Sequence, residues 1–316
     1  GKTDRSLTDS YEHSAMLLLF TMLPILFSST VYNISSVLDD FLYSSIMTGL
    51  GSKTKQIVLE WGIFGEYHVL FNIPVALANA LSSSLIPVLT MAVASHDRKK
   101  TLSQIRVSVR FTLLIAVPCS IGMAILAEPL CRMLFPGKHV SLLIQLTRVG
   151  SLAVLLYSLS TISNAILQGL GHLNIPLYHS MIALVLHLGS LILFLYLRTG
   201  IYGVVLSNIV FALCMCLLNQ HAIYKHTRFR IDLFRSLVMP GISALVMGGG
   251  AYALYFVIHL VLPEHLRKGR IGSAVSLLPA VLLGILIYFF LLLRSHTLTK
   301  EDLDEMPMGG RLKRFL

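Results

Sequence analysis

Long apolar stretches recur along the whole chain, and each is long enough to cross the hydrocarbon core of a bilayer. A crossing helix needs about 20 mostly apolar residues. Backbone groups in lipid must be satisfied within the bundle, and short strands of alternating polarity are absent from the sequence, so the stretches predict helices. We predict an all-α, polytopic membrane helix bundle with about eight spans, at residues 14–37, 67–92, 108–130, 142–166, 175–197, 201–224, 235–261 and 272–293.

The low content of charged residues supports a membrane protein. Apolar residues make up 55% of the chain and charged residues 13%, whereas soluble domains carry about 25% charged residues. A net charge of +10 could indicate nucleic-acid binding, but the basic residues fall in short clusters between the apolar stretches. Such clusters set the orientation of membrane helices beside anionic headgroups. We therefore expect membrane lipids as partners and no nucleic acid.

The distribution of lysine and arginine predicts the orientation in the membrane. Basic residues concentrate in the loops after the second and sixth spans and in the C-terminal tail. Because basic loops stay on the cytoplasmic side, we predict a multi-pass protein of the cell membrane with both termini of this chain cytoplasmic. The chain begins Gly1-Lys2-Thr3 without a signal-peptide pattern, and we interpret it as part of a longer protein.

Polar residues inside the predicted spans recur at helical spacing, so that they share one face of each helix. Polar groups in lipid are costly and usually face the interior of the bundle. Asn, Ser and Thr also pack helices together by hydrogen bonds, which is the simpler interpretation of any single residue. Polar faces on five spans together favour a polar cavity. The candidate cavity-lining residues are Ser29, Asn33, Ser36, Asn72, Asn79, Ser83, Tyr157, Thr161, Asn164, Gln168 and Ser180.

Three titratable residues are candidates for cation coupling or for contact with a cargo headgroup. Asp39 and Asp40 end the polar face of the first span, where a carboxylate could coordinate Na⁺ or carry a proton. A solvated helix end explains these two residues equally well. His187 lies in the middle of the fifth span. A neutral, hydrogen-bonded histidine is the simpler interpretation of it, and a titrating or substrate-contacting histidine better accounts for its depth.

Motifs for catalysis and for cofactor binding are absent from the sequence. It has no P-loop, no Gly-x-Ser-x-Gly elbow and no His-Glu-x-x-His helix. The four cysteines lack zinc-site spacing. We therefore predict that the protein is not an enzyme and has no metal site and no cofactor, apart from a possible coupling Na⁺ or H⁺.

Two stretches resemble a known transporter superfamily. One runs from Phe71-Asn-Ile-Pro74 to Asp97, and the other is Asn164-Ala-Ile-Leu-Gln168-Gly-Leu-Gly171-His-Leu-Asn-Ile-Pro176. Both are similar to the multidrug/oligosaccharidyl-lipid/polysaccharide exporters. The closest resemblance is to the branch that contains stage V sporulation protein B and the MurJ-like lipid II flippases.

The resemblance implies a MATE/MurJ-like fold of two six-helix lobes around a central cavity, with two extra helices in the flippases. Residues 1–230 would then be the C-terminal lobe, and residues 231–316 the two additional transmembrane helices and a cytoplasmic tail. The N-terminal lobe would be a missing partner. The chain departs from the lipid II flippases at Glu66-Tyr-His68, where an Asp-Arg pair is expected, and from the sporulation type at His187, where a lysine is frequent.

The resemblance also implies a function. It is the export, by alternating access, of a lipid-linked oligosaccharide or of a peptidoglycan or polysaccharide precursor across the cytoplasmic membrane. One alternative is a cation-coupled multidrug exporter of the same superfamily, which needs no seventh and eighth span. A second alternative is a non-transporting membrane scaffold for envelope assembly, in which the polar faces pack helices together and leave no cavity.

Overall fold

Helices make up nearly all of the described structure. A computed structural model describes residues 11–263 and 270–295. The helices are α1 (Tyr11–Gly49), α2 (Thr54–Ala94), α3 (Arg98–Ile125), α4 (Ala127–Leu134), α5 (Val140–Gly169), α6 (Asn174–Tyr196), α7 (Ile201–Thr227), α8 (Met239–Val261) and α9 (Arg270–Arg294), with a π-helical turn at Phe234–Val238 before α8. The prediction of an all-α, polytopic membrane bundle is confirmed.

Seven helical segments in the described part of the chain are long and apolar enough to cross a membrane. They are α2, α3, α5, α6, α7, the π-helical turn together with α8, and α9. The first of the eight predicted spans, 14–37, lies within α1. Most side chains of that span lie outside the described residues, so this one span stays a prediction.

The helices extend beyond the apolar stretches that predicted them. The first two predicted spans leave residues 38–66 between them. In the structure α1 continues to Gly49, α2 begins at Thr54, and only a four-residue turn joins them. The end of an apolar stretch marks where a helix leaves lipid, and a helix can continue into water beyond that point. Gly51 permits the tight turn with a φ of 88°.

The third predicted span, 108–130, divides at Leu126 in the structure. After α3 ends, the short helix α4 carries an ion pair between Glu128 and Arg132 at 3.1 Å. The charged residues and the apolar residues of α4 lie on different faces, so α4 is an amphipathic helix. This alternation is typical of a helix at a boundary between lipid and water.

Helix α5 forms the centre of the bundle, with α2, α3 and α7 packed along it. Small residues let α2 approach closely, since a Cβ at Gly150 would lie 2.3 Å from the Tyr67 hydroxyl oxygen. That hydroxyl donates a hydrogen bond of 3.3 Å to the Gly150 carbonyl. Helix α6 packs on α7, and α1 packs on α6.

Helices α8 and α9 pack against each other, and α8 also packs against α3 while α9 packs against α4. Small residues again allow the contact: a Cβ at Gly284 would lie 3.3 Å from both the Ala251 Cβ and the Met247 Cγ. At the α3 contact, a Cβ at Gly248 would lie 2.3 Å from the Ile125 Cδ1. Close packing of small residues is the usual way in which membrane helices associate.

A hydrogen bond joins α9 to the backbone of α3 at a proline. Pro118 has no N–H, so the carbonyl of Leu114, four residues earlier, lacks its ordinary intrahelical donor. The buried Tyr288 hydroxyl donates to this carbonyl at 2.9 Å. The proline therefore creates the acceptor that fixes α9 on the lobe.

Candidate functional site

A polar cavity of about 670 Å³ opens in the membrane-spanning part of the lobe, between α1, α2, α5 and α7. Helix α2 supplies the largest share of its wall, because residues three or four apart share one face of a helix. Predicted residues that line it are Ser36, Asp39, Asn72, Asn79, Ser83, Tyr157, Thr161, Asn164 and Gln168. Four further polar residues join them: Ser35, His68, Ser82 and Asn208.

The other predicted residues lie elsewhere. Ser180 is fully buried outside the cavity wall, and its hydroxyl donates to the Leu177 carbonyl of its own helix at 2.8 Å. Asp40 is exposed and does not line the cavity, because the neighbouring Asp39 points inward and consecutive residues face different sides of a helix. The side chains of Ser29 and Asn33 lie outside the described residues.

Asp39 and His187 form a buried pair that joins α1 to α6. The His187 Nε2 lies 2.6 Å from the Asp39 Oδ1. His187 is fully buried behind the cavity wall, where its ring packs edge-on against Phe211, while Asp39 also lines the cavity. The sequence singled out both residues, but 148 positions separate them, so their contact could be found only in the folded chain.

A second polar connection runs from α6 through α7 to the cavity. The His179 Nδ1 lies 2.7 Å from the Asn219 Oδ1, and the Asn219 Nδ2 donates to the Asn164 Oδ1 at 2.7 Å. Asn219 is fully buried, whereas Asn164 lines the cavity. The sequence analysis identified Asn164 as a candidate cavity residue, but it gave no sign of the connection to Asn219 and His179.

Aromatic rings wall the end of the cavity nearer the α1–α2 turn. Phe64, Tyr67 and Phe71 follow one another along α2 with ring centroids 5.8 Å and 6.0 Å apart. Phe71 packs edge-on against Tyr157, whose hydroxyl donates to the Asn208 Oδ1 at 3.2 Å. This end is therefore rich in aromatic rings, and His68 lies among them.

The cavity wall has an uneven charge. Asp39 is the acidic residue in it, and no lysine or arginine occurs among the described residues that line it. Hydroxyl and amide groups supply the remaining polarity, together with His68, whose Nδ1 lies 3.0 Å from the Asn72 Nδ2. Such a wall suits neutral hydroxyl and amide groups of a solute, and it offers no fixed cation to a phosphate.

Within the described residues no cluster of three His, Cys, Asp or Glu side chains has the geometry to hold a metal ion. All four cysteines are free thiols. The chemistry of this site is therefore that of hydrogen bonding around one buried carboxylate–imidazole pair.

The fold and the cavity together define a polytopic α-helical membrane protein with a polar cavity between its helices. A family model described as lipid II flippase MurJ matches residues 4–268. The chain belongs to this MurJ family. The family is one of transporters rather than of enzymes, as the sequence predicts.

Individual relatives agree with this family. The uncharacterized membrane protein YabM of Bacillus subtilis (strain 168) is 25% identical over 322 residues, which cover 100% of this chain and 58% of that protein. The probable lipid II flippase MurJ of Bdellovibrio bacteriovorus is 24% identical over 275 residues, covering 85% and 49%.

A solved structure of lipid II flippase MurJ, in an inward closed conformation, superposes with a TM-score of 0.63 at 17% identity. The superposition covers 90% of this chain and 55% of that one. This likeness concerns the fold alone. The chain thus spans about half the length of the relatives that it matches.

Proposed function

We propose that this chain is one half of an alternating-access flippase, which moves a lipid-linked oligosaccharide or cell-wall precursor from the inner to the outer leaflet. The observation that carries the proposal is the polar cavity, about 670 Å³ in volume, inside a lobe of the MurJ family. A cavity of this size lies within the ordinary range for small-molecule sites. Its hydroxyls and amides suit a sugar headgroup.

The polarity of the cavity wall indicates which part of the proposed cargo it could contact. Sugar hydroxyls can exchange hydrogen bonds with Asn79, Ser83 and Asn164, all of which line the cavity. A phosphate linkage needs cationic partners. We therefore propose that a partner lobe supplies them, and that the apolar outer surfaces of α8 and α9 accommodate the lipid tail.

The Asp39–His187 pair is our candidate for energy coupling. The Asp39 carboxylate and the His187 imidazole lie 2.6 Å apart, and buried carboxylates and imidazoles serve as proton relays in membrane transporters. Because the Asp39 carboxylate is already hydrogen-bonded to the His187 imidazole, we propose H⁺ rather than Na⁺ as the coupling ion. Asp40 is exposed, and we assign it no role in this step.

Transport in proteoliposomes tests the proposal. The complete transporter, this chain with its partner lobe, should move a fluorescent lipid-linked saccharide between leaflets. Movement should rise with a pH gradient and stay unchanged with a Na⁺ gradient. Asp39→Asn should reduce the effect of the pH gradient, while Asp40→Asn, at the neighbouring exposed carboxylate, is the matched control. A saccharide lipid that stays in its leaflet would contradict the proposal.

A cation-coupled drug exporter is the second candidate. The observation in its favour is the combination of one carboxylate, Asp39, with the aromatic wall of Phe64 and Phe71, which suits a lipophilic cation. Transport of cationic dyes in the same vesicles, without movement of the saccharide lipid, would select this function. The scaffold alternative required that the polar faces leave no cavity, and the open cavity gives it no support.

We also propose that the basic loops lie in the cytoplasm, with both termini of this chain. The clusters at Arg98–Lys100 and Lys225–Arg230 follow alternate spans, so they lie at the same end of the lobe, as basic cytoplasmic loops do. In a cysteine-free background, a membrane-impermeant thiol reagent added outside intact cells should label Lys53→Cys and spare Ser95→Cys. The reverse labelling would invert the assigned orientation.

A further inference from the structure

A second cavity, of about 380 Å³, lies beyond the end of α3, between α4, the loop that follows α4, α8 and α9. We call it the α4 cavity. None of the described residues that line it also lines the central polar cavity, so the two are separate sites. The residues of its wall are Glu128, Arg132, Pro136, Gly137, Val140, Tyr255, His259 and Ser273.

Both signs of charge are present in the wall of the α4 cavity. Glu128 and Arg132, one turn apart on α4, form an ion pair in which the Arg132 Nε lies 3.1 Å from the Glu128 Oε1. The two side chains are 42% and 51% exposed, and ion pairs with such exposure are weak. A ligand that carries a positive and a negative group could therefore bind both residues in place of their mutual contact.

The rest of the wall is built from buried side chains of two other helices. Tyr255 of α8 is 8% exposed, and its ring stacks on His259 at a centroid distance of 5.3 Å. Ser273 of α9 is also buried. The Arg270 Nε donates to the Met133 carbonyl at 2.8 Å and so joins the start of α9 to the end of α4. The cavity is therefore a formed pocket between three packed helices.

The position of the α4 cavity matches the level of lipid headgroups. It lies near the last residue of α8, Val261, and the first described residue of α9, Arg270, where membrane helices meet the headgroup region. Apolar side chains on the same two helices are exposed, among them Val257 and Ile271. A lipid covers such side chains with its acyl chains, whereas a soluble ligand leaves them uncovered.

We propose that the α4 cavity binds the headgroup of a phospholipid that carries both a phosphate and a primary ammonium. The ammonium has N–H donors for the Glu128 carboxylate, and the phosphate accepts from the Arg132 guanidinium. The hydroxyls of Tyr255 and Ser273 are further donors in the same wall. A purely anionic headgroup would place its phosphate beside Glu128 without a compensating positive charge.

A series of methylated lipids tests the proposal on the unaltered protein. Phosphatidylethanolamine and its mono-, di- and trimethyl derivatives keep the positive charge but lose the N–H donors one by one. Native mass spectrometry of the complete transporter, titrated with each lipid, gives the affinities. Affinity should fall along the series, with a total difference of about tenfold, the value of one charge-assisted hydrogen bond.

Two variants separate the contacts to the two charges. Glu128→Gln keeps the shape of the side chain and should make the affinities for the four lipids equal. Arg132→Gln should weaken all four by about tenfold, because they share the phosphate. Asp232→Asn is the matched control: Asp232 forms a similarly exposed pair with Arg235, at 4.0 Å, and does not line the cavity. It should leave the series unchanged.

Each other outcome would overturn the proposal. Equal affinities in the wild type would show that the ammonium is not recognised by its N–H groups, and tightest binding of the trimethyl lipid would indicate the aromatic rings instead. A series that is unchanged in Glu128→Gln would place the lipid elsewhere. Soluble glycerophosphoethanolamine that binds as tightly as the lipid would contradict a lipid as the ligand. Movement between leaflets is measured separately, so the flippase proposal is tested independently.

Discussion

Asp39 and His187 lie side by side in the buried interior of the lobe, where a polar side chain without a partner is costly. Both side chains are buried within a membrane lobe, and the Asp39 carboxylate would be costly there without its imidazole partner. A buried pair is weak evidence for stability, because desolvation offsets much of the attraction, but removal of one partner leaves an uncompensated charge. At the scale of single residues, the stability of each partner therefore depends on the other.

Leucine substitutions test whether the two residues stabilise the fold as a pair. Asp39→Leu and His187→Leu should each lower the free energy of unfolding by about 3 kcal/mol, and the double variant should regain at least half of that loss. Thermal unfolding in detergent measures both quantities. A double variant as unstable as the sum of the two singles would show that the residues do not act as a pair.

His172 and His226 form a contact between two imidazoles, at one end of the bundle, with ring centroids 3.9 Å apart. The pKa of His172, in the α5–α6 turn, is lowered mainly by burial and to a smaller extent by the neighbouring His226. In the unfolded chain this histidine has an ordinary pKa of about 6.5 and therefore binds a proton more readily. The stability of this contact is therefore complete above that pH and is lost as the pH falls through the folded pKa.

Melting temperatures measured between about pH 7.5 and 5 test the effect of the lowered pKa. Acidification should lower the melting temperature of the wild type more than that of His172→Asn, by about 1–3 °C. His139→Asn, at a histidine in another loop, is the control. An equal response of the wild type and His172→Asn would exclude His172 as the source.

At the scale of helices, the sequence predicted the spans better than their ends. Apolar stretches of the right length located α2, α3, α5, α6, α7, α8 and α9, because lipid leaves few other structures possible. The α1–α2 turn and the division at Leu126 were missed. Hydropathy reports where a helix meets water, whereas these ends depend on Gly51 and on the packing of α4.

The contact between α3 and α9 is a feature that no apolar pattern could predict. It needs Pro118 to leave the Leu114 carbonyl without its donor and Tyr288, 174 residues later, to bond to it. Tyr288→Phe should lower the free energy of unfolding by about 1–2 kcal/mol, because it leaves a buried carbonyl unsatisfied.

A double-mutant cycle completes this test. In a Pro118→Ala background the helix can supply its own N–H to Leu114, so Tyr288→Phe should cost less than it does in the wild type. Chemical denaturation gives the four free energies. An equal cost in both backgrounds would mean that the proline does not create this acceptor.

For the whole molecule, the cavity could be predicted from periodicity, but its internal connections could not. Spacing along single helices placed residues such as Asn79 and Thr161 on inward faces, and both line the cavity. Ser180 satisfied the same pattern and lies outside the wall, because periodicity gives a face of a helix and not its neighbour. The pairs Asp39–His187 and Asn164–Asn219 join distant helices, which only the fold brings together.

The central claim is that a saccharide headgroup passes through this cavity. Photocrosslinking tests it most directly, with a lipid-linked saccharide that carries a photoreactive group on its sugar and is supplied to the complete transporter in membranes. The account predicts that mass spectrometry finds the crosslinks on α2 and α5, around Asn79 and Thr161, and that excess unlabelled saccharide lipid suppresses them. Crosslinks confined to outward-facing residues such as Leu186 of α6, which is 50% exposed, would contradict the account.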